Sequence, residues 1–162
     1  MSYSIREPRA DERGWVNDTL RERWGGETIV GRGRVRRLDD LRALVAFAGS
    51  ERVGVATYAL DGRSAELVTL DALHEGAGVG RALIEAVAES ARAEGAAELV
   101  VMTTNDNLRA IRLYQRAGFR LHVLRAGAVE QARRLKPSIP AVGDDGIPLR
   151  DEIDLIRPLL GE

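Results

Sequence analysis

The most restrictive feature of this chain is LHEGAGVG, residues 73–80, where Gly76, Gly78 and Gly80 stand between two patterned segments. Upstream, AELVTLDAL (65–73) reads as a strand; downstream, Leu83, Ile84, Val87 and Ala91 share one side of a helix over 80–94, closed by Gly95. A strand that turns into a helix through glycines commits the chain to layered α/β architecture. The start of a helix presents unpaired amides and about half a positive charge. Glycines let those amides converge and leave no Cβ in a ligand's way. The stretch is therefore either a site for an anion such as a diphosphate, or a tight turn that binds nothing. Its register excludes two well-known phosphate loops. Arg81 stands where a dinucleotide fingerprint needs glycine, and no Lys-Ser/Thr pair comes after the last glycine as a Walker loop requires.

The other elements can be placed around this one. SIRE (4–7) is a short strand closed by Pro8, and Trp15, Val16, Leu20 and Trp24 space a helix that ends before Gly25-Gly26. Residues 25–41 read as an irregular surface segment with a strand candidate at 28–30; the run GRGRVRR within it is either a solvated loop or a grip for an anion. The runs 43–48, 52–60 and 65–73, joined by GSE and DGRS, form an antiparallel meander. AELVVMTT (97–104) is apolar throughout, as a strand covered on both faces should be. Next come a helix over 107–117, a strand FRLHVL, a helix AVEQARRL and a loop over 137–146. The last strand alternates Ile147, Leu149, Asp151, Ile153 and Leu155 on one face. The fold class is α/β: a mixed, mostly antiparallel sheet of about six to seven strands flanked by helices on both faces.

Bulk composition narrows function by exclusion. At 162 residues, 44% hydrophobic and 30% charged, the chain reads as one ordered domain spanning 1–162. Its 24 basic and 25 acidic residues nearly cancel, which argues against a nucleic-acid partner. No apolar stretch approaches the ~20 residues a membrane span needs, and the N-terminus is charged. With no cysteine, neither disulfide nor thiolate chemistry is available, and two histidines offer little for a metal centre. A cytoplasmic location, no metal and no membrane contact are the resulting expectations.

A second motif lies further on. In NLRAIRLYQRAGF (107–119), Asn107, Ile111 and Tyr114 fall on one helical stripe, Gly118 suits a left-handed C′ position, and Phe119 can fold back on the last turn. Packing against Phe119 would suffice to explain Tyr114; a phenol with an ordinary pKa of ~10 is also a proton donor at neutral pH. Glu66 is a carboxylate in an apolar strand, sharing its face with Val68 and Leu70 by the two-residue period. It is either at a wet or salt-bridged edge, or held for use as a base. By the same period Asp71 faces away from Glu66, alongside Leu67 and Thr69. Asp151 is a strand-end aspartate or a relay, while His74 and His122 read as ordinary residues.

Taken together, the strand, the loop Glu75-Gly76-Ala77-Gly78-Val79-Gly80, its helix and the downstream N..AI.LY...GF pattern resemble the GNAT superfamily of N-acetyltransferases, the two motifs standing in that superfamily's order. The likeness covers about 43–125, with the insertion and last strand at 126–162 similar to the ending of a bacterial branch. The resemblance implies a GNAT fold, acetyl-CoA as co-substrate, an amine acceptor and direct attack on the thioester. It further implies backbone contacts to the cofactor at Leu70 and Ala72, phosphate contacts at Gly76, Ala77, Gly78, Val79, Gly80 and Arg81, and a contact at Asn107. Tyr114 is implied as general acid and Glu66 as the candidate general base. The loop departs from the family at Glu75, usually Arg or Gln, and at Ala77, often basic. Arg81, Arg112 or Arg116 would then neutralise the phosphates. These departures keep a non-catalytic acyl-CoA-binding domain open as the alternative, and dimerisation through the last strand also stays open.

Overall fold

Three consecutive antiparallel strands carry the molecule: β4 (Arg42–Ala48), β5 (Glu51–Asp61) and β6 (Ser64–Ala72). They are the meander expected from the alternation and the short turns. The computed structural model describes residues 2–160. Strand β1 (Ser4–Arg6) adds antiparallel to β4, and β7 (Glu98–Thr104) adds parallel to β6. Strand β9 (Glu152–Pro158) lies between β7 and β8 (Arg120–Arg125), antiparallel to both. The sheet order is β1-β4-β5-β6-β7-β9-β8, seven strands with one parallel pair.

Helices cover both faces. On one face α2 (Val79–Ala93) buries Leu83, Ile84 and Val87 against Tyr58, Leu67 and Leu99, and α3 (Leu108–Arg116) adds Tyr114. Each such aliphatic side chain, fully removed from water, contributes about 1.5–3 kcal/mol. On the other face α1 (Arg13–Trp24) sets Val16 and Leu20 on Val45, Phe47 and Val55. Near it lies α4 (Ala128–Leu135), which buries Val129 and Ala132. Among the described residues no helix is long and apolar enough to cross a membrane.

Two segments differ from the sequence expectation. Residues 28–37 are an antiparallel ribbon, β2 (Thr28–Gly31) and β3 (Arg34–Arg37), rather than an irregular loop. Arg32 (φ 55°) and Gly33 (φ 71°) both take positive φ at its tip, the conformation whose twist suits a two-residue hairpin. The ribbon is hard to read because its arginines meet carboxylates of the main sheet, so polarity does not alternate as it would beside water. The last strand begins at Glu152 rather than near Ile147. Residues before it are held elsewhere: Asn105 Oδ1 accepts the Arg150 and Asp151 amides at 3.0 and 2.9 Å, and Val142 bridges Pro148. Asp151 lies just outside the strand and accepts the Gly127 amide at 2.8 Å.

Candidate active site

The cleft originates in one irregularity of β6. Its pairing with β5 skips Val68: Thr57 faces Thr69, and the next residue, Tyr58, faces Leu67. The extra residue is a β-bulge, which bends its strand and re-aims the side chains on its far side. Immediately beyond it β6 loses its other neighbour, since the parallel pairing with β7 ends at Leu67–Val101. Past that point the two strands part, and residues 68–72 have main-chain groups free of β7. The Thr57 and Thr69 hydroxyls, buried beside the bulge, satisfy each other at 2.6 Å.

The bulge reverses the alternation expected for β6. Leu67 and Leu70 both pack towards α2, whereas Val68 packs with the α1 cluster. Asp71 therefore points to the same side as Glu66, not away from it, and Leu70 does not share the Glu66 face. Asp71 is 7% exposed; its carboxylate accepts from Trp24 Nε1 at 2.8 Å and Arg23 Nε at 3.0 Å. Burial pushes its pKa above the ordinary aspartate value, against the pull of the two donors.

Where the strands part lies a cavity of about 570 Å³, lined by Leu70, Asp71 and Ala72 of β6, Met102 and Thr103 of β7, Asn107 and Tyr114 of the α3 segment, and the glycine loop. Gly76 (φ 73°) and Gly78 (φ 78°) are left-handed, and Gly78 is the N-cap of α2 with no side-chain cap. At the start of α2, Ala82 N–H reaches Gly78 O at 3.1 Å. The amides before Ala82 have no acceptor within the helix and stand at its positive end. A diphosphate fits such a loop through main-chain donors alone.

Most of the anticipated site residues meet here. Leu70, Ala72, Gly76, Gly78, Val79, Gly80, Arg81, Asn107 and Tyr114 all line the cavity. Ala77 does not: it packs on the core, and its carbonyl accepts the Tyr3 hydroxyl at 2.5 Å. Asn107 caps α3 through an Oδ1 bond from the Ala110 amide at 3.1 Å. Glu75 reaches across the cavity's rim to Arg109 at 2.9 Å, and that pairing holds its carboxyl below the usual value. Arg109 therefore joins Arg81 as a lining cation, while Arg112 and Arg116 lie off the cavity.

Tyr114 is 7% exposed, and its ring meets Phe119 edge-on with centroids 5.6 Å apart. Gly118, with φ of 93°, lets the Phe119 amide return to Tyr114 O at 2.9 Å, closing the helix. Burial first, then the nearby Asp71 charge, pushes the phenol well above its ordinary pKa. Tyr114 thus both belongs to the core and lines the cavity.

Glu66 stands apart from the cavity. Its two oxygens accept from Arg32 Nη1 at 3.1 Å and Arg36 Nε at 2.9 Å. Arg32 also reaches Asp154, and Arg125 clasps both Asp154 and Glu152. Arg32 and Arg36 of the arginine run therefore neutralise buried carboxylates of the sheet, Arg34 pairs with the exposed Asp61, and none of the run lines the cavity at the glycine loop. What sequence reading missed is Arg23, Trp24 and Asp71. The first two come from a helix end distant in sequence, and the third is turned by a bulge that leaves no mark in the pattern.

An open α/β sheet whose crevice lies at the carboxyl ends of two parting strands, with a bare helix start beside it, defines a ligand-binding class of protein. The chain belongs to the acetyltransferase (GNAT) family, whose sequence profile matches residues 5–119. It is 38% identical over 139 residues to the uncharacterized protein YdhI of Bacillus subtilis (strain 168), covering 85% of this chain and 87% of YdhI. A GNAT family acetyltransferase from Elizabethkingia anophelis with acetyl-CoA bound superposes with a TM-score of 0.74 at 19% identity, over 96% and 97% of the two chains. A Bacillus subtilis acetyltransferase in complex with CoA gives 0.70 at 22% identity, over 98% of each. The fold is the GNAT fold.

Proposed function

We propose that this protein transfers an acetyl group from acetyl-CoA to a primary amine, with Tyr114 as proton donor and Asp71 as proton acceptor. The observation that carries the reading is the single cavity that joins an uncapped helix start, two parted strands, a buried phenol and a buried carboxylate. Acetyl-CoA would supply the activated acyl group; its phosphates suit the amides of 76–81, and its pantetheine suits the free edge of residues 68–72.

The residues of the chain divide the proton work. An ammonium ion at the cleft is attracted to the Asp71 carboxylate, gives it a proton and becomes a nucleophile. Attack on the acyl carbon forms the amide C–N bond as the C–S bond breaks; the Tyr114 hydroxyl donates to the departing sulfur and recovers a proton from the nitrogen as it becomes the amide, while Asp71 returns its own proton to solvent. The two groups are coupled, because the Asp71 charge helps to hold the Tyr114 proton. Protonating Asp71 removes that charge and makes Tyr114 a better acid at the moment sulfur leaves. Glu66, the base expected from the resemblance, is better explained as the anchor of Arg32 and Arg36. The amine attacks the thioester directly, without an acyl-enzyme.

Calorimetry with acetyl-CoA, then thiol release on adding primary amines, tests the reading. Saturable binding and amine-dependent thiol release are expected. No binding at millimolar acetyl-CoA would end it. The Glu75–Arg109 pair beside the phosphate loop favours a second reading, an acyl-CoA-binding domain without turnover; tight binding with no thiol release for any amine would select it.

A further inference from the structure

A second cavity of about 420 Å³ adjoins the cleft and shares Arg23, Trp24, Val68 and Met102 with it. It lies between α1, the β2–β3 ribbon and the 126–150 segment. Its walls are mainly apolar: Ile29, Val68, Met102, Val129, Ile139 and Pro140. The charged groups on its lining are two cations, Arg23 and Lys136, and two carboxylates, Glu22 and Glu152, which cancel. Three of these four are already engaged by the protein. Arg23 holds Asp71, Glu152 is clasped by Arg125, and Lys136 donates to the Trp24 and Thr28 carbonyls at 2.8 and 2.5 Å. Partial burial pushes the Lys136 pKa down.

We infer that this chamber receives the apolar body of a small monoamine, so that the acceptor is a hydrophobic primary amine whose nitrogen meets Asp71. The inference rests on the acetyltransferase reading and names its substrate class. A polyamine or a polycationic antibiotic would need several uncompensated carboxylates along its length, and of the two carboxylates that line the chamber Glu152 is clasped by Arg125, which leaves the exposed Glu22. An acidic acceptor would be repelled by Asp71 and Glu22, and of the lining cations Arg23 is already paired with Asp71 while Lys136 is tied to two main-chain carbonyls. A chamber of this volume suits a small-molecule body rather than a folded protein surface. Lys136 fixes the chamber's outline, because it straps the end of α4 to the end of α1 and the start of β2.

The test is a series of unbranched primary amines from propylamine to octylamine, with phenethylamine, spermidine and glutamate as comparisons. Their binding is measured by calorimetry with and without acetyl-CoA, and their turnover by thiol release. Binding should tighten about fourfold per added methylene until the chamber is filled, with spermidine and glutamate weaker than hexylamine. Ile139→Asp should weaken octylamine at least tenfold and leave acetyl-CoA affinity unchanged, while Ile139→Leu, which restores an apolar wall, should recover most of that loss. Binding that ignores chain length, or faster turnover of spermidine or glutamate than of any alkylamine, would overturn the inference. Acetyl-CoA affinity, read separately, reports on the acetyltransferase assignment itself.

Discussion

The Trp24 indole N–H donates to the Asp71 carboxylate at 2.8 Å, tying the last residue of α1 to β6 at the point where the sheet opens. With Arg23 on the other oxygen, the bond orients a carboxylate that burial would otherwise disfavour in its charged form. A base held in this way is pre-positioned, and its pKa lies nearer the working pH than that of a surface aspartate.

Asp71→Asn should accordingly lower kcat about 10²–10⁴-fold with little change in acetyl-CoA affinity. In the unaltered protein kcat/KM should fall as pH drops through a value above the normal aspartate range; in the variant that limb should vanish, as steady-state pH profiles will record. Stability carries the opposite sign. Because folding raises the Asp71 pKa, its favourable contribution is complete below the unfolded value and is lost as pH rises through the folded value. Near neutral pH the variant should melt no lower than the parent, a stability gained by losing function.

Tyr114→Phe keeps the ring that packs on Phe119 and removes only the hydroxyl. Melting temperature and acetyl-CoA binding should hold, and kcat should drop by about two orders of magnitude. A rate equal to the parent's at every pH would leave Tyr114 with its packing role alone.

Glu66 should matter to folding more than to chemistry. Removing one member of a buried ion-pair network leaves the others uncompensated, so Glu66→Ala should cost about 3 kcal/mol, or about 6–12 °C in a chain of this size. Chemical denaturation will measure it. Below the melting transition the variant's kcat should stay close to the parent's, and a pH profile that loses its acid limb would return Glu66 to the role of base.

Glu75 places a negative charge beside the loop and occupies Arg109. Glu75→Gln should tighten acetyl-CoA binding by a few-fold, an effect that fades with added salt because both side chains are exposed. Weaker binding would mean that Glu75 positions the loop and does not oppose the phosphates.

The sequence by itself determined the parts governed by local rules. Alternation and turns set out the β4–β6 meander; helical spacing and stop glycines set out α2 and α3; and Gly76, Gly78 and Gly80 marked the turn from β6 into the bare start of α2. Tertiary structure decided whatever depends on contacts between distant segments. The bulge at Val68 comes from pairing with β5 and from the parting of β7, and it turns Asp71 into the cleft while Glu66 goes to the arginines of the ribbon. Neither residue's partner lies near it in the chain, and no periodicity in β6 distinguishes the carboxylate that faces the cleft from the one that pairs with the ribbon. That choice belongs to desolvation and to the charges that packing brings within reach.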